Sequence, residues 1–159
     1  MLSIRPATLQ DVPLLRSMIC ELAEYERELE SVEITEEQLA RDGFGEDPKF
    51  RALIAEWDGQ PAGYAVFFQF FSTWTGRHMF LEDLFVRPQL RGKKIGMSLM
   101  AEVAGIAREE GCRAMRWEVL AWNQPSIDLY KSLGGEFLDD WKLVLLKDEG
   151  LKKLAERAA

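Results

Sequence analysis

The chain has 159 residues, of which 47% are hydrophobic and 30% charged, with 27 acidic against 20 basic side chains and a net charge of −7. That length suits a single domain over residues 1–159, and the balance excludes a disordered or fibrous chain; the acidity argues against nucleic acid as a partner and reads first as a solvated surface, while being compatible with a cationic partner. There is no run of about 20 apolar residues, no amino-terminal signal segment and no lipidation motif, so the expectation is a cytoplasmic protein with no membrane partner. Cys20 and Cys112 lack metal spacing and read as small core hydrophobes. The one histidine, His78, beside Gly76 and Arg77, reads as a surface residue at a turn and leaves no multi-histidine metal site.

Leu2 to Arg5 form a first short strand, which Pro6 ends. Asp11 is the expected cap of a helix with Pro13 in its first turn and Leu14, Leu15, Met18, Ile19 and Leu22 on one buried face, running to about Tyr25. Glu24, Glu26, Glu28, Glu30 and Glu33 crowd the next stretch, readable as a solvated helix end or as an acidic rim for an amine. Thr35 and Gln38 form a capping box that opens a short helix stopping at Gly43. After the DGFGEDP loop comes an antiparallel meander: Phe50 to Trp57, a turn at Asp58 and Gly59, Ala62 to Phe71, a turn at Ser72 to Gly76, and Arg77 to Val86.

Ile95, Leu99, Val103 and Ile106 mark the inner face of a following helix that ends at Gly111, and Ala114 to Leu120 reads as a strand. The crossover makes that strand a parallel neighbour of the FLEDLFV strand. Asn123 then caps a helix with Pro125 in its first turn and Gly134 at its end. Phe137 and Trp141 to Leu146 supply closing strands, and Gly150 to Arg157 is a last amphipathic segment.

The chemistry concentrates in FLEDLFVRPQLRGKKIGMSL, Phe80 to Leu99. A strand feeds a helix through a basic turn, where the N–H groups of the helix's first turn, its dipole, and Arg91, Lys93 and Lys94 together make a site for phosphates. Gly92 and Gly96 fit neither the Walker spacing nor the dinucleotide fingerprint. The turn resembles the [RQ]xxGx[GA] pyrophosphate-binding motif of GNAT-superfamily N-acetyltransferases, with Arg91 first, Gly96 last, and Lys94 where that family usually has glycine.

LEDLFV before the turn, WNQPSIDLYKSLG at Trp122 to Gly134, and the opening IRPATLQDV resemble the same superfamily. EYE at Glu24 to Glu26, DGFGEDP, LEDLFV and WNQPS together are similar to its spermidine/spermine and thialysine N-acetyltransferase branch. The resemblance implies an α/β (α+β) fold, a central mixed β-sheet flanked by helices with a V-shaped cofactor cleft. It implies acetyl-CoA as co-substrate, no metal, a small-molecule amine acceptor carrying further positive charge, and a homodimer.

By the same resemblance the backbone of Leu84, Phe85 and Val86 pairs with the pantetheine arm, and Arg91, Gly92, Lys93, Lys94, Ile95, Gly96 and Met97 hold the pyrophosphate. Asn123, Pro125, Ser126 and Tyr130 complete the cofactor site, and Tyr25, Glu26, Glu82, Trp122 and Asp139 form the acceptor site. Glu82, facing the cleft while Asp83 alternates to the other face, is the expected base, because an ammonium of pKa near 10 must lose a proton before it attacks; Tyr130 is the expected general acid. Two alternatives remain open from sequence: a protein or peptide amine acetyltransferase, and a catalytically silent acyl-CoA-binding sensor.

Overall fold

The computed structural model describes residues 1–158 in two compact units, Met1–Leu120 and the residues from Ala121 onward. The first unit is built on a five-stranded sheet of order β1-β2-β3-β4-β5. Strands β1 (Leu2–Pro6), β2 (Arg51–Trp57), β3 (Gln60–Ser72) and β4 (Gly76–Val86) run antiparallel in succession, and β5 (Ala114–Arg116) lies parallel to β4. The DG turn forms as the sequence suggests: Asp58 and Gly59 both take positive φ, 51° and 75°, the geometry whose twist matches an antiparallel ribbon.

Helix α1 (Val12–Glu26) lays Leu15 and Met18 against Ala52, Ile54, Tyr64, Val66 and Phe85 on one face of the sheet. The alternate residues Leu53, Ala55, Ala65, Phe67, Met79 and Leu81 are buried on the other face, where helix α3 (Ile95–Glu109) packs on β3 and β4 through Ile95, Leu99 and Val103. Arg87, just beyond β4, fastens α1 to the sheet by a two-pronged bond to Glu21, Nη2 at 2.8 Å and Nε at 3.0 Å. Asp11 precedes α1 as expected but turns its carboxylate back, accepting from the Thr8 backbone N–H at 2.7 Å and from Arg5 at 2.8 and 2.9 Å. Thr35 and Gln38 do exchange their capping bonds at the start of α2 (Glu36–Phe44). That helix continues one residue past Gly43, which lies so close under the Phe50 ring that a Cβ there would meet it at 2.3 Å.

In the second unit α4 (Gln124–Ser132) and α5 (Asp148–Ala155) are the regular elements, α5 starting two residues before the expected Gly150. The closing strands expected at Phe137 and Trp141 to Leu146 are absent. Apolar content specifies a strand only where another strand supplies backbone partners, and Leu143, Val144 and Leu145 stand exposed in irregular chain. β5 is likewise three residues rather than seven, since its ladder with β4 stops at Phe80↔Arg116.

His78 is buried in β4, not at the surface: its ring packs edge-on against Phe70 with centroids 5.2 Å apart, and its Nε2 lies 2.7 Å from Thr75 Oγ1. Burial, with Arg116 nearby, holds its pKa below the usual value. Cys20 and Cys112 are half-buried rather than core, and Arg16 donates to Cys20 Sγ.

Candidate active site

At the carboxyl end of β4 the chain makes a short 3₁₀ turn (Pro88–Leu90) and then rises into α3 through Gly92, φ 80°, and Lys94, φ 62°. Lys94 is the residue that caps α3, and it takes the left-handed path that the resemblance assigns to glycine. The first N–H groups of the helix, from Ile95 to Met97, have no intrahelical acceptor and project outward beyond its N-terminal end. A Cβ on Gly92 would have nothing within 4 Å, and one on Gly96 would meet only Val86 Cγ2 at 3.5 Å, so the turn is open to an incoming group. Arg91 donates from Nε to the Val86 carbonyl at 3.2 Å, and its guanidinium carbon stands 4.3 Å from the Tyr25 ring centroid. Lys93 Nζ lies 4.4 Å from the ring centroid of Trp57.

Adjacent residues Val66 and Phe67 of β3 stand opposite Asp83 and Leu81 of β4, so Glu82 is an extra residue, a β-bulge. The bulge reverses which residues of β4 face α1. Before it, Met79 and Leu81 belong to the α3 face; after it, Asp83 and Phe85 stand opposite Val66 and Tyr64 on the α1 face. The expected strict alternation of Glu82 and Asp83 is therefore interrupted. A bulge also increases local twist and turns the strand edge, which accounts for the early end of the β5 ladder. From Leu81 to Val86 one edge of β4 carries no strand among the described residues, while Leu84, Phe85 and Val86 keep their pairing to Ala65, Tyr64 and Gly63 on the other.

The bulge gathers negative charge. Tyr64, completely buried, donates its hydroxyl to Asp83 Oδ2 at 3.0 Å. Burial raises the Asp83 carboxyl above its usual pKa, the Tyr64 hydrogen bond opposes that, and Glu26 at the end of α1 adds to it. Glu82 is exposed as a residue, yet its carboxyl loses enough hydration to titrate above the usual range, with Asp83 and then Glu118 adding repulsion. Glu26 is raised as well, by loss of hydration and by Glu28. Thus Glu26, Glu82 and Asp83 form one acidic cluster, with Tyr25 beside it under Arg91. Tyr64 and Glu118 were not singled out by the sequence; the available signal was a tyrosine in the middle of an apolar strand, whose hydroxyl must find a partner when buried.

In the second unit Asn123 Oδ1 accepts from the Ser126 N–H at 3.5 Å, with Pro125 in the first turn of α4 where a missing N–H costs nothing. Tyr130 lies one turn on; burial raises its phenol above the usual value, and a hydrogen bond with Ser126 partly offsets this. Its carbonyl accepts from Gly135 at 3.0 Å, closing the helix. Trp122 and Asp139 are exposed, in irregular chain before and after α4.

A basic left-handed turn at a helix start, next to an open strand edge, is the arrangement of an acyl-CoA acyltransferase, and residues 15–135 match the Acetyltransferase (GNAT) family. The chain belongs to that family. It is 41% identical to a thialysine N-epsilon-acetyltransferase of Sus scrofa, with 96% of each chain covered. It is 35% identical to spermidine/spermine N(1)-acetyltransferase-like protein 1 of Homo sapiens, over 96% of this chain and 23% of that longer one. An aminoglycoside N-acetyltransferase solved in complex with CoA shares the fold at a TM-score of 0.72 and 20% identity, with 94% of this chain and 95% of that one covered.

Proposed function

We propose that residues 1–159 work as one domain that transfers the acetyl group of acetyl-CoA to the primary amine of a small acceptor carrying at least one further positive charge, a thialysine-like amine or a polyamine. The observation that carries this reading is the acidic cluster of Glu26, Glu82 and Asp83 on the β4 bulge, within the same unit as the open strand edge and the basic turn. A family match that runs across Leu120 supports the single-domain reading.

The residues present fit the donor. Those backbone N–H and C=O groups of Leu84 to Val86 that point away from β3 suit strand-like pairing with an amide-bearing arm, the Val86 carbonyl already accepting from Arg91 Nε, and the N–H groups of Gly92 to Met97, with Arg91, Lys93 and Lys94, suit a pyrophosphate. Asn123, Pro125 and Ser126, at the start of α4, are assigned to the donor by the family resemblance. When bound, the thioester supplies an activated acetyl group. Glu82 takes one proton from the acceptor ammonium, directly or through water, and its raised pKa brings it closer to the pH at which the enzyme works. Tyr130, kept protonated by burial, gives its proton to the departing sulfur. The neutral amine adds to the thioester carbon to form the C–N bond, and the C–S bond then breaks. The second proton lost by the new amide nitrogen returns through water to the Tyr130 phenolate, so no nucleophilic side chain is required. Tyr25, Glu26, Trp122 and Asp139 are assigned to hold the acceptor. A cytoplasmic homodimer completes the reading, supported by Leu143, Val144 and Leu145, each more than three-quarters exposed and suited to cover against a second copy.

The test is coenzyme A release with spermidine, putrescine, thialysine, aminoglycosides, monoamines and a lysine peptide at low and high salt. Amines with a second charge should give the highest kcat/KM, and their KM should rise with salt. Best activity on monoamines or on the peptide overturns the acceptor assignment. Tyr130→Phe should lower kcat by roughly 10²- to 10⁴-fold with acetyl-CoA affinity little changed; wild-type turnover removes Tyr130 from the chemistry.

A further inference from the structure

Tyr64 lies in the core, covered by α1, and its ring packs 6.2 Å from that of Phe85 across the strand pair. A residue that merely fills space there needs no hydroxyl. Tyr64 has one, and gives it to Asp83, a half-buried carboxyl next to the bulged Glu82. The groups around Asp83 are of one sign. Glu26 of α1 faces it, Glu82 adjoins it on β4, and Glu118, in the segment after β5, faces Glu82; Cys20 of α1 lies near Tyr64 itself. The hydrogen bond to its Oδ2 comes from the neutral Tyr64 hydroxyl. Left alone, a carboxyl in that setting holds its proton to relieve the repulsion and the lost hydration. The phenol is the group that favours the anion.

We propose that Tyr64 is a positioning residue for acetyl transfer: by donating its hydroxyl across the β3–β4 pair it holds Asp83 as a carboxylate beside Glu82, so that the acceptor meets two negative charges at the bulge rather than one. This rests on the reading of the bulge as the acceptor's site. The division of labour follows from the geometry. Glu82, the exposed member, exchanges a proton with the acceptor, while Asp83, the hydrogen-bonded member, keeps a fixed charge for the acceptor's second ammonium. The site is thereby matched to dications over monocations. A phenol suits the task because it stays protonated throughout the working range, its own pKa raised by burial and by Asp83.

The experiment is ¹³C-carboxyl NMR titration of Asp83 and Glu82, combined with steady-state kinetics of wild type, Tyr64→Phe, Asp83→Asn and the double variant over the pH range of that titration, on a diamine and a monoamine. In Tyr64→Phe the Asp83 titration midpoint should rise by about one pH unit, the loss expected for a hydrogen bond to the charged form. The diamine KM should rise roughly threefold at pH values between the wild-type and variant Asp83 midpoints, where a one-unit shift separates the ionised fractions, and recover well above the variant's midpoint as Asp83 ionises, with kcat, monoamine KM and acetyl-CoA affinity little changed. In the Asp83→Asn background Tyr64→Phe should add nothing. An unmoved Asp83 midpoint, a KM increase independent of pH, or full additivity in the double variant overturns the proposal; a purely packing role predicts those results. Should Tyr64→Phe not fold, the wild-type titration still decides, because Asp83 must ionise at lower pH than Glu82 and the reverse order overturns it. If instead Glu82→Gln leaves activity and pH profile intact, the acceptor-site reading fails, and the Asp83 titration judges Tyr64 by itself.

Discussion

Arg91 lies over the ring of Tyr25, its guanidinium carbon 4.3 Å from the centroid, while its Nε is tied to the Val86 carbonyl at 3.2 Å. One side chain of the basic turn is thus braced on the last residue but one of α1 and on the end of β4, so its charge is held in place. Such placement reduces the ordering cost of binding. Tyr25→Leu should weaken acetyl-CoA binding roughly 2- to 5-fold, the size of a partly exposed cation–π contact, and Arg91→Ala about tenfold or more. Arg91→Lys should not restore affinity, since an ammonium cannot make the Nε bond and face a phosphate together. Calorimetric titration with acetyl-CoA checks all three, and equal affinities across the set contradict the bracing.

Lys94 takes φ 62° at the start of α3, a conformation that costs an L-residue with a Cβ about 1 kcal/mol and glycine almost nothing. A lysine that bears this strain brings an ammonium to the start of α3. Lys94→Gly and Lys94→Ala both remove the charge, but only glycine relieves the backbone. Thermal unfolding should therefore find the glycine variant more stable than the alanine variant by about 1 kcal/mol. Both should bind acetyl-CoA more weakly, with a flatter salt dependence. Wild-type affinity in the two variants means the phosphates do not use Lys94.

Gly63 of β3 lies tight against the β4 backbone: a Cβ would lie 2.2 Å from the Phe85 carbonyl oxygen and 3.1 Å from the Val86 Cα. Backbone cannot yield there as a flexible side chain could, and Phe85 and Val86 are the residues assigned to the pantetheine arm. Gly63→Ala should cost about 3 kcal/mol or more and reduce acetyl-CoA affinity in whatever fraction folds. Denaturant unfolding measures the first effect; a stability within about 0.5 kcal/mol of wild type would show that the strands separate easily.

What sequence could reach here was what neighbours along the chain decide. The Asp58–Gly59 turn, the Thr35–Gln38 capping box and the inner face of α3 at Ile95, Leu99 and Val103 depend on residues within a few positions of one another. The basic turn before α3 and Asn123 as the cap of α4 were legible for the same reason. The bulge at Glu82 was not, because nothing in LEDLFV says that two β4 residues must share one place opposite β3. His78 looked like a turn residue until Phe70, eight positions earlier, closed over it. Trp141 to Leu146 carries the composition of a strand, but a strand exists only with a partner, and periodicity cannot report one.

The charge collected at the bulge should make the site a source of instability at neutral pH. Asp83 and Glu82 both titrate above their usual values in the folded protein, first through loss of hydration. Between the unfolded and folded pKa values the native state therefore binds more protons than the unfolded chain, so stability falls as pH rises through that window and is not penalised below the unfolded value near 4. Asp83→Asn removes one of the two charges and leaves an amide oxygen to accept from Tyr64. The variant should melt a few degrees above wild type at pH 8, and the gain should vanish as pH falls below about 4. It should also lose affinity for the dicationic acceptor, so that stability and function move in opposite directions. Melting curves recorded from pH 4 to 8 decide it: a gain that is the same at every pH, or a loss at pH 8, would show that Asp83 stabilises the fold and that the carboxylates at the bulge are structural.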